Sequence, residues 1–306
     1  MSGPEHPPLV RSWQRWLLAL SCFPAAIVLI SLLAPWWAGS VWSNWTVQAV
    51  FLLLPALMLL RHRAPWAALL LLLMAIGVAR WLVAAYEPRL GVPAATQPTL
   101  SLVSANVAGW NPWRLAADEK AGRGSPDVLL LVEVGKADRR QFAGDARWPY
   151  QFWDDGLGLL SRLPLLQARS NNQNGLPVIE TGIGLQGRSL HLICVHTLSP
   201  GTPLRLLNRD RELVGLAALV TAQPGPTLIL GDFNLTVGDP SWPVFRSAAG
   251  VMRPVSECAT WPSLFGPFGI TIDHVLGKQV AISAVDPIWL FGSDHRGIQA
   301  RVAVLP

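Results

Sequence analysis

The sequence predicts a membrane domain of three apolar helices followed by an α+β sandwich, in which two β-sheets pack together with helices outside them. Three observations support this fold class. Hydrophobic residues make up 51% of the 306 residues and charged residues only 14%, whereas soluble domains carry roughly 25% charged residues. The long apolar segments all lie within residues 1–90. From residue 99 onward, short apolar runs alternate with Gly, Pro and Asn, which is typical of strands and turns.

The membrane domain, residues 1–90, contains candidate transmembrane helices at residues 13–33, 45–60 and 64–86. A helix needs roughly 20 apolar residues to cross the hydrocarbon core of a bilayer. A cleaved signal peptide is a weaker interpretation of the first segment, because no small-residue cleavage site closes it and two further apolar segments follow. We therefore expect a multi-pass membrane protein that contacts the lipid bilayer.

Positive charges predict the orientation of these helices. Arg11 and Arg15 precede the first helix, and the sequence Arg-His-Arg at residues 61–63 separates the second from the third. Residues 34–44 carry no charge. Because cytoplasmic loops are enriched in Lys and Arg, the N-terminus is predicted to be cytoplasmic. Three crossings then put the domain at residues 99–306 outside the cytoplasm.

Charge also bears on the class of substrate. Residues 1–90 contain six Arg, no Lys and two Glu, a net charge of +4, while residues 91–306 contain 18 basic and 17 acidic residues, a net charge of +1. A nucleic-acid-binding domain usually shows a basic cluster, and these counts give no sign of one, although a local basic groove is compatible with them. Three cysteines exclude a disulfide-rich scaffold and leave a Cys194–Cys258 pair open.

The elements of the sandwich follow a Pro-containing linker at residues 91–98. Apolar runs bounded by turn residues predict seven strands. They lie at residues 100–107, 128–132, 158–160, 189–196, 227–230, 272–276 and 300–305. The spacing of Leu206, Leu213 and Leu216 predicts a helix at residues 204–221. Many strands with few helices favour two packed sheets with helices outside.

Carboxylate, amide and imidazole side chains lie where these apolar runs end. They are Asn106, Glu133, His196, Asp232 with Asn234, Asp273 with His274, and Asp294 with His295. If the strands run side by side, their ends converge on one edge of the sandwich. A single Asp or Asn after a strand is usually a turn former or a helix cap, but six such elements favour a shared site. His191 and His274 are interpreted as structural neighbours of the set.

Oxygen ligands at this edge predict a site for a hard divalent cation. The candidate ligands are Glu133, Asp232, Asn234 and Asp294. No thiolate belongs to the set, and carboxylate and amide oxygens suit Mg²⁺ or Mn²⁺. Such a cation assists the attack of water on a phosphoester.

The histidines predict proton transfer and phosphate binding at the same edge. His196 and His295 can position a water, protonate a leaving group or contact a phosphate. A carboxylate near a histidine, such as that of Asp273, can fix the imidazole tautomer and stabilise its charged form. Together with a cation site, these residues are the parts of a metal-dependent phosphoesterase.

Seven short motifs follow one another along the second domain. They are Ser104-Ala-Asn106, Pro126-Asp-Val-Leu-Leu-Leu-Val-Glu133, Gly158-Leu-Leu-Ser161-Arg162-Leu-Pro164, Val195-His196, Gly231-Asp232-Phe-Asn234, Ile272-Asp273-His274-Val and Gly292-Ser-Asp294-His295-Arg. This ordered set resembles the endonuclease/exonuclease/phosphatase superfamily, which includes DNase I, abasic-site endonucleases, bacterial neutral sphingomyelinases and inositol polyphosphate 5-phosphatases. The resemblance covers about residues 99–305 and implies a four-layer αββα, DNase I-like sandwich. The membrane-anchored architecture resembles bacterial members, which implies the inner membrane.

The resemblance implies metal and phosphate roles for five residues. Asn106 would contact phosphate and metal, and Glu133 would be the main metal ligand. Asp232 and Asn234 would orient the attacking water, bind phosphate and contribute to the metal site. Asp294 would be a second metal ligand or a residue that supports one.

The resemblance also implies roles for the histidines and for substrate contacts. His295 would contact the scissile phosphate, with Asp273 orienting its ring. His196 would be a second acid, base or phosphate-binding residue, and no orienting partner for it is evident. Further candidates for substrate contact are Arg162, Arg209 and Trp261.

The expected function is that of a membrane-anchored, Mg²⁺-dependent (or Mn²⁺-dependent) phosphoesterase that hydrolyses a phosphodiester in the manner of a nuclease. Because the domain is nearly neutral and lies next to the bilayer, a lipid headgroup or a small phosphoester at the membrane surface is the alternative substrate. An inactive protein that binds a ligand or partner is an alternative of another class, and the intact acidic and histidine positions argue against it. No obligate protein partner is inferred.

Overall fold

The computed structural model describes residues 8–34, 36–60, 64–107, 125–185, 187–290 and 292–305. Its chain divides into two compact units. The first comprises Met1–Glu87 with Val237–Pro240, and the second comprises Pro88–Thr236 with Ser241–Pro306. The candidate site residues all lie in the second unit.

The described part of the first unit is helical. Its helices are α1 (Pro8–Leu33), α2 (Trp37–Ser43), α3 (Thr46–Leu52), α4 (Leu54–Leu60) and α5 (Ala64–Ala85). The segments at residues 13–33 and 64–86 correspond to α1 and α5, whereas the segment at residues 45–60 is divided between α3 and α4. Pro55 explains the division, because proline has no N–H to continue the hydrogen bonds of α3.

The prediction of transmembrane helices can be compared with the structure only for the described residues. None of their helices is, taken singly, both long enough and apolar enough to cross a bilayer, but α2 and Thr46–Met58 meet the criteria together as a pair bent by 63°. Shorter apolar helices lie at Ala19–Leu33 and Pro65–Ala79. Residues 61–63, on which the orientation depends, lie outside the described residues. The three crossings stay a prediction.

The described part of the second unit contains two β-sheets. The first sheet contains β1 (Leu100–Asn106), β2 (Val128–Val132), β3 (Tyr150–Asp154), β4 (Leu157–Ser161), β10 (Val280–Ile282), β11 (Asp286–Ile288) and β12 (Gly297–Val304). Their order is β10-β12-β1-β2-β4-β3, with β11 paired to β12. The second sheet contains β5 (Leu165–Gln173), β6 (Leu176–Leu185), β7 (Arg188–His196), β8 (Thr227–Asp232) and β9 (Asp273–Lys278), in that order. Leu102 and Leu130 of the first sheet share one buried core with Leu192 and Leu230 of the second.

Helices lie outside the two sheets. Among the described residues of this unit, the α-helices are α6 (Lys136–Phe142), α7 (Pro203–Thr221) and α8 (Ser241–Ala249). Phe142 of α6 packs against the outer face of the first sheet at Val103 and Leu129, while α7 packs against α8 and β5. The predicted α+β sandwich of two sheets is thereby confirmed. Cys194, in the shared core, and Cys258 are free thiols.

Strand pairing brings the polar strand ends to one edge of each sheet. β1 and β2 are parallel and in register at Asn106, so Asn106 and Glu133 leave the first sheet at the same end. β7 and β8 are also parallel, with His196 opposite Asp232, and Asp273 of β9 pairs with Asp232 from the other side. The candidate residues therefore come together although they are far apart in sequence.

Candidate active site

Asp232 is the centre of the candidate site, because its carboxylate faces side chains from both sheets. It ends β8, and its side chain is only 2% exposed. Asn106 Nδ2 donates to Asp232 Oδ2 at 3.0 Å, and the Asn234 N–H donates to Oδ1 at 2.8 Å. With one hydrogen bond to each oxygen, the carboxylate has a fixed orientation.

Glu133 and His196 form a group of potential metal ligands with Asp232. His196 Nε2 lies 3.6 Å from Glu133 Oε1 and 3.9 Å from Asp232 Oδ2. Asn106 Nδ2 also donates to Glu133 Oε1 at 3.0 Å, so one amide links the two carboxylates. The Glu133 side chain is 40% exposed, which keeps the group open to a ligand from solvent.

His295 and Asp273 form a second group beside Asp232. His295 Nδ1 lies 2.9 Å from Asp273 Oδ2, and its Nε2 lies 3.8 Å from Asp232 Oδ2. Because the carboxylate is the acceptor, Nδ1 carries a proton. Ser293 Oγ accepts from the His295 N–H at 3.0 Å and donates to the Asn106 carbonyl at 2.8 Å, which fixes His295 relative to β1. The contact expected between Asp273 and His295 is present.

Burial and charge shift two pKa values at the site. Burial raises the pKa of Asp232 to about 6, and the charge of Asp273 adds to this effect, while His295 and His196 oppose it. Burial disfavours the charged form of His295, but the hydrogen bond and charge of Asp273, with the charges of Asp232 and Asp294, raise its pKa to about 9. His295 is therefore an imidazolium at neutral pH and can donate a proton.

Two site residues adopt the left-handed backbone conformation, which is uncommon outside glycine. The φ angle is 62° at Glu133 and 45° at Asn234. Such conformations cost on the order of 1–3 kcal/mol and persist where the surrounding structure fixes them. Asn234 Nδ2 donates to the Thr197 carbonyl at 2.9 Å, so Oδ1 is the side-chain atom that remains for a ligand.

The two carboxylates of this donor set fit a hard divalent cation, and the imidazole of His196 adds a softer nitrogen donor. One ligand atom each from Glu133, His196 and Asp232 lie within 4.8 Å of one another, and Asp232, Asp273 and His295 meet the same criterion. In the second group, Asp273 already binds His295 Nδ1, and a cation at this imidazole would have to displace a proton. A cation at the first group would also stabilise the charged form of Asp232, which burial disfavours.

Asp294 lies at the edge of the site, but not among the potential metal ligands of the described residues. Its carboxylate instead accepts a hydrogen bond from Trp261 Nε1 at 2.9 Å. This contact agrees with the supporting role predicted for Asp294, and its role as a second metal ligand stays a prediction. His196, which was not predicted as a ligand, belongs to the group. Asp294 acts on the site through its charge, which helps to raise the pKa of His295.

Arg162 is not brought to the site. It follows Ser161, which pairs with Val128 at the opposite end of β2 from Glu133. Five residues of strand separate these ends by roughly 17 Å. Arg162 therefore lies away from Asp232, and its contact with substrate stays a prediction.

Arg209 lies behind the site rather than at its surface. Its side chain on α7 is fully buried, and Nη1 donates to the Asn234 carbonyl at 3.1 Å. The predicted substrate contact of Arg209 is corrected to a contact with the backbone of the site. The sequence periodicity of α7 does not determine where the Arg209 side chain points, because that depends on how α7 packs on the second sheet.

The fold and the site together are those of a two-sheet α+β sandwich with acidic, amide and histidine side chains at its strand ends. The sequence matches the Endonuclease/Exonuclease/phosphatase family over residues 103–295, more than half of the chain, and the protein belongs to this family. As a member of this family, it is an enzyme that hydrolyses phosphoester bonds. No curated protein matches the sequence.

Solved structures support the same fold. D. rerio TDP2 complexed with a single-strand DNA product superposes with a TM-score of 0.55 at 18% identity, covering 67% of this chain and 99% of that one. Sphingomyelinase C from Streptomyces griseocarneus gives 0.50 at 16% identity, with coverage of 67% and 99%. An endonuclease/exonuclease/phosphatase from Beutenbergia cavernae gives 0.54 at 16% identity, with coverage of 68% and 72%. At these identities, the likeness establishes the fold alone.

Proposed function

We propose that the protein is a membrane-anchored phosphodiesterase that requires Mg²⁺ or Mn²⁺ and acts outside the cytoplasm, at the inner membrane. One observation carries the chemistry. Glu133, His196 and Asp232 lie within 4.8 Å of one another, next to an imidazolium that Asp273 orients. Metal-assisted hydrolysis of a phosphodiester requires ligands for a cation and a proton donor. Here both lie next to the carboxylate of Asp232.

Each side chain of the site has a distinct role in the proposed hydrolysis. Glu133, His196 and Asp232 would hold the cation, which supplies positive charge against the oxygens of the phosphoryl group. Asn234 Oδ1 orients the attacking water. His295 donates a hydrogen bond or a proton from Nε2 to the phosphate, and Asp273 keeps that nitrogen protonated and directed towards Asp232.

A hydrolysis screen of the full chain in detergent micelles tests this proposal. The substrates are DNA, RNA, sphingomyelin, phosphoinositides and bis(p-nitrophenyl) phosphate, each with Mg²⁺, with Mn²⁺ and with EDTA. We expect hydrolysis of at least one diester with a cation, none in EDTA, and none by Asp232→Asn. Equal rates with and without EDTA would contradict the metal requirement, and a folded protein that hydrolyses only monoesters would contradict the diester.

An exposed apolar segment beside the site favours the second candidate, a phosphodiesterase acting on a lipid headgroup. This apolar rim segment is the 3₁₀ helix Ser263–Phe268, in which Leu264 is 84% exposed, Phe265 49% and Phe268 76%. The Ser263 N–H donates to the Asp294 carbonyl, so the segment adjoins the residue before His295. Exposed apolar patches mark protein or membrane contacts, and residues 258–272 carry no charge.

Replacing Leu264 and Phe268 together by Ser separates the two candidates. If the substrate is a lipid headgroup, hydrolysis of phospholipid in vesicles should fall by about 10-fold or more, because apolar area removed from water would be lost. Hydrolysis of soluble bis(p-nitrophenyl) phosphate should not change. Unchanged rates on vesicles would favour the nuclease-like candidate. Leu204→Ser, at an exposed position of α7, is the matched control.

A further inference from the structure

We infer that Arg209 and His274 are positioning residues that hold the loop at residues 233–235, here called the Asn234 loop, in its active conformation. The inference rests on the proposed roles of Asp232 and Asn234 in hydrolysis. Neither residue touches the reacting atoms. Each instead donates a hydrogen bond to the backbone of the loop from behind.

Three consecutive carbonyls of the Asn234 loop are bound by side chains from three different elements. Thr197, which follows β7, donates its hydroxyl to the Phe233 carbonyl. Arg209 Nη1, from α7, donates to the Asn234 carbonyl at 3.1 Å. His274 Nε2, from β9, lies 2.8 Å from the Leu235 carbonyl. Most buried carbonyls are bound within secondary structure or by water, so this series is a specific support for one loop.

Arg209 is itself held in place. Its Nε and Nη2 donate to Asp210 Oδ1 at 3.2 and 2.9 Å, and Ser241 Oγ donates to the same oxygen at 3.0 Å. A buried guanidinium is stable only when its charge is paired. The planar guanidinium, fixed by Asp210, therefore presents Nη1 to the Asn234 carbonyl in a set direction.

His274 is held equally firmly from the other side. Its Nδ1 lies 2.8 Å from Glu257 Oε1, and its fully buried ring contacts Phe233 and Trp242, with ring centroids 5.6 and 5.0 Å away. Because the Leu235 carbonyl can only accept, Nε2 carries a proton. His274 follows Asp273 on β9, and successive strand residues point to opposite faces. One strand thus orients His295 on one face and the Asn234 loop on the other.

The support matters because the Asn234 loop is strained and orients the central carboxylate. Asn234 has a φ angle of 45°, and its N–H donates to Asp232 Oδ1 at 2.8 Å. If the carbonyls lose their donors, the loop can relax towards an ordinary backbone conformation, and Asp232 and Asn234 then shift together. A shift of about 1 Å at a reacting group can lower the rate by about 10²-fold.

The first experiment compares Arg209→Met with Arg211→Met, an exposed arginine on the same helix, in the full chain. We measure kcat and KM for bis(p-nitrophenyl) phosphate, the melting temperature, and amide hydrogen exchange at residues 233–236. Arg209→Met should lower kcat by about 10²-fold at temperatures where it is fully folded, leave KM nearly unchanged, and speed exchange in the loop. Wild-type kcat and exchange in Arg209→Met, or the same losses in Arg211→Met, would overturn the inference.

His274 provides a second test if Arg209→Met does not fold. Gln can replace the Nε2 donor, whereas Leu cannot, so His274→Gln should retain more kcat and slower loop exchange than His274→Leu. Equal kcat and equal exchange in the two folded variants would overturn the inference. If the wild type hydrolyses no substrate, the proposed function fails on its own, and loop exchange alone then supports or overturns the positioning role.

Discussion

The charge on His295 depends chiefly on the carboxylate of Asp273, with smaller contributions from Asp232 and Asp294, and titration can test this. An ordinary histidine has a pKa of about 6.5, and the folded protein raises that of His295 to about 9 through Asp273, against the effect of burial. The resulting stabilisation is fully present below about pH 6.5 and is lost as the pH rises through about 9. In the metal-free protein, the His295 ring resonance should titrate near pH 9, and Asp273→Asn should lower the midpoint, because it removes both the hydrogen bond and the charge of this carboxylate. The same midpoint in both proteins would contradict this origin of the shift.

Asp273 and His295 should also act as one catalytic unit. Removal of either partner disables a unit, so the effects of the two substitutions do not add. Asp273→Asn should therefore lose much of the kcat/KM that His295→Ala loses, and the double variant should lose little more than the worse single variant. Kinetics and melting temperatures of the three variants test this. Additive losses, or a destabilised Asp273→Asn with full activity, would mean that Asp273 has only a structural role.

Some site residues could be predicted from the sequence because the end of an apolar run indicates where a strand ends. Asn106 and Asp232 each end an apolar run and Glu133 directly follows one, and parallel pairing then brings such ends together. The direction in which a long side chain points cannot be predicted in this way. Arg209 turned inwards because of the packing of α7, and Asp294 turned towards Trp261. Both depend on tertiary contacts rather than on local pattern.

At the scale of elements, β7 and β8 approach so closely beside the site that only glycine fits at Gly231. Its φ angle is 140°, and a Cβ there would lie 2.0 Å from the Val195 carbonyl oxygen. Gly231→Ala must separate the two strands that carry His196 and Asp232. We expect it to cost about 1–3 kcal/mol of stability and most of the activity.

Gly225→Ala is the matched control for Gly231, since it precedes the same strand and nothing lies within 4 Å of its added Cβ. The melting temperature and kcat of the two variants test whether the close approach of β7 and β8 requires glycine at residue 231. Gly231→Ala with the stability and activity of Gly225→Ala would contradict the close approach of β7 and β8.

The strands that were not predicted from the sequence include the hairpin formed by β5 and β6. Polar residues interrupt their apolar runs, for example Arg169 and Asn171 of β5 and Glu180 of β6, so these strands do not stand out as continuous apolar segments. The feature of the sequence that does indicate this hairpin is the turn between the two strands. Asn174 and Gly175 have φ angles of 56° and 94°, and an Asn-Gly pair between alternating segments is a strong hairpin signal.

At the scale of the whole molecule, the predicted orientation can be tested with a reporter enzyme. Arg11, Arg15 and residues 61–63 lie on the predicted cytoplasmic side. An alkaline phosphatase fused after Pro306 should be active, because it would fold outside the cytoplasm. The same reporter inserted at residues 61–63 should be inactive. The reverse pattern would contradict the orientation and the number of crossings.

Metal-dependent turnover at Glu133 tests the central claim most directly. The measurement is the rate of bis(p-nitrophenyl) phosphate hydrolysis as a function of Mg²⁺ or Mn²⁺ concentration, for the wild type, Glu133→Gln and the exposed control Asp155→Asn. The wild type and the control should saturate with the cation and be inactive in EDTA. Glu133→Gln keeps the size of the side chain but removes a ligand charge, so its rate should fall by about 10²-fold or more and recover in part at high cation concentration. Full activity in EDTA, or a Glu133→Gln variant as active as the control, would contradict hydrolysis assisted by a cation at this site.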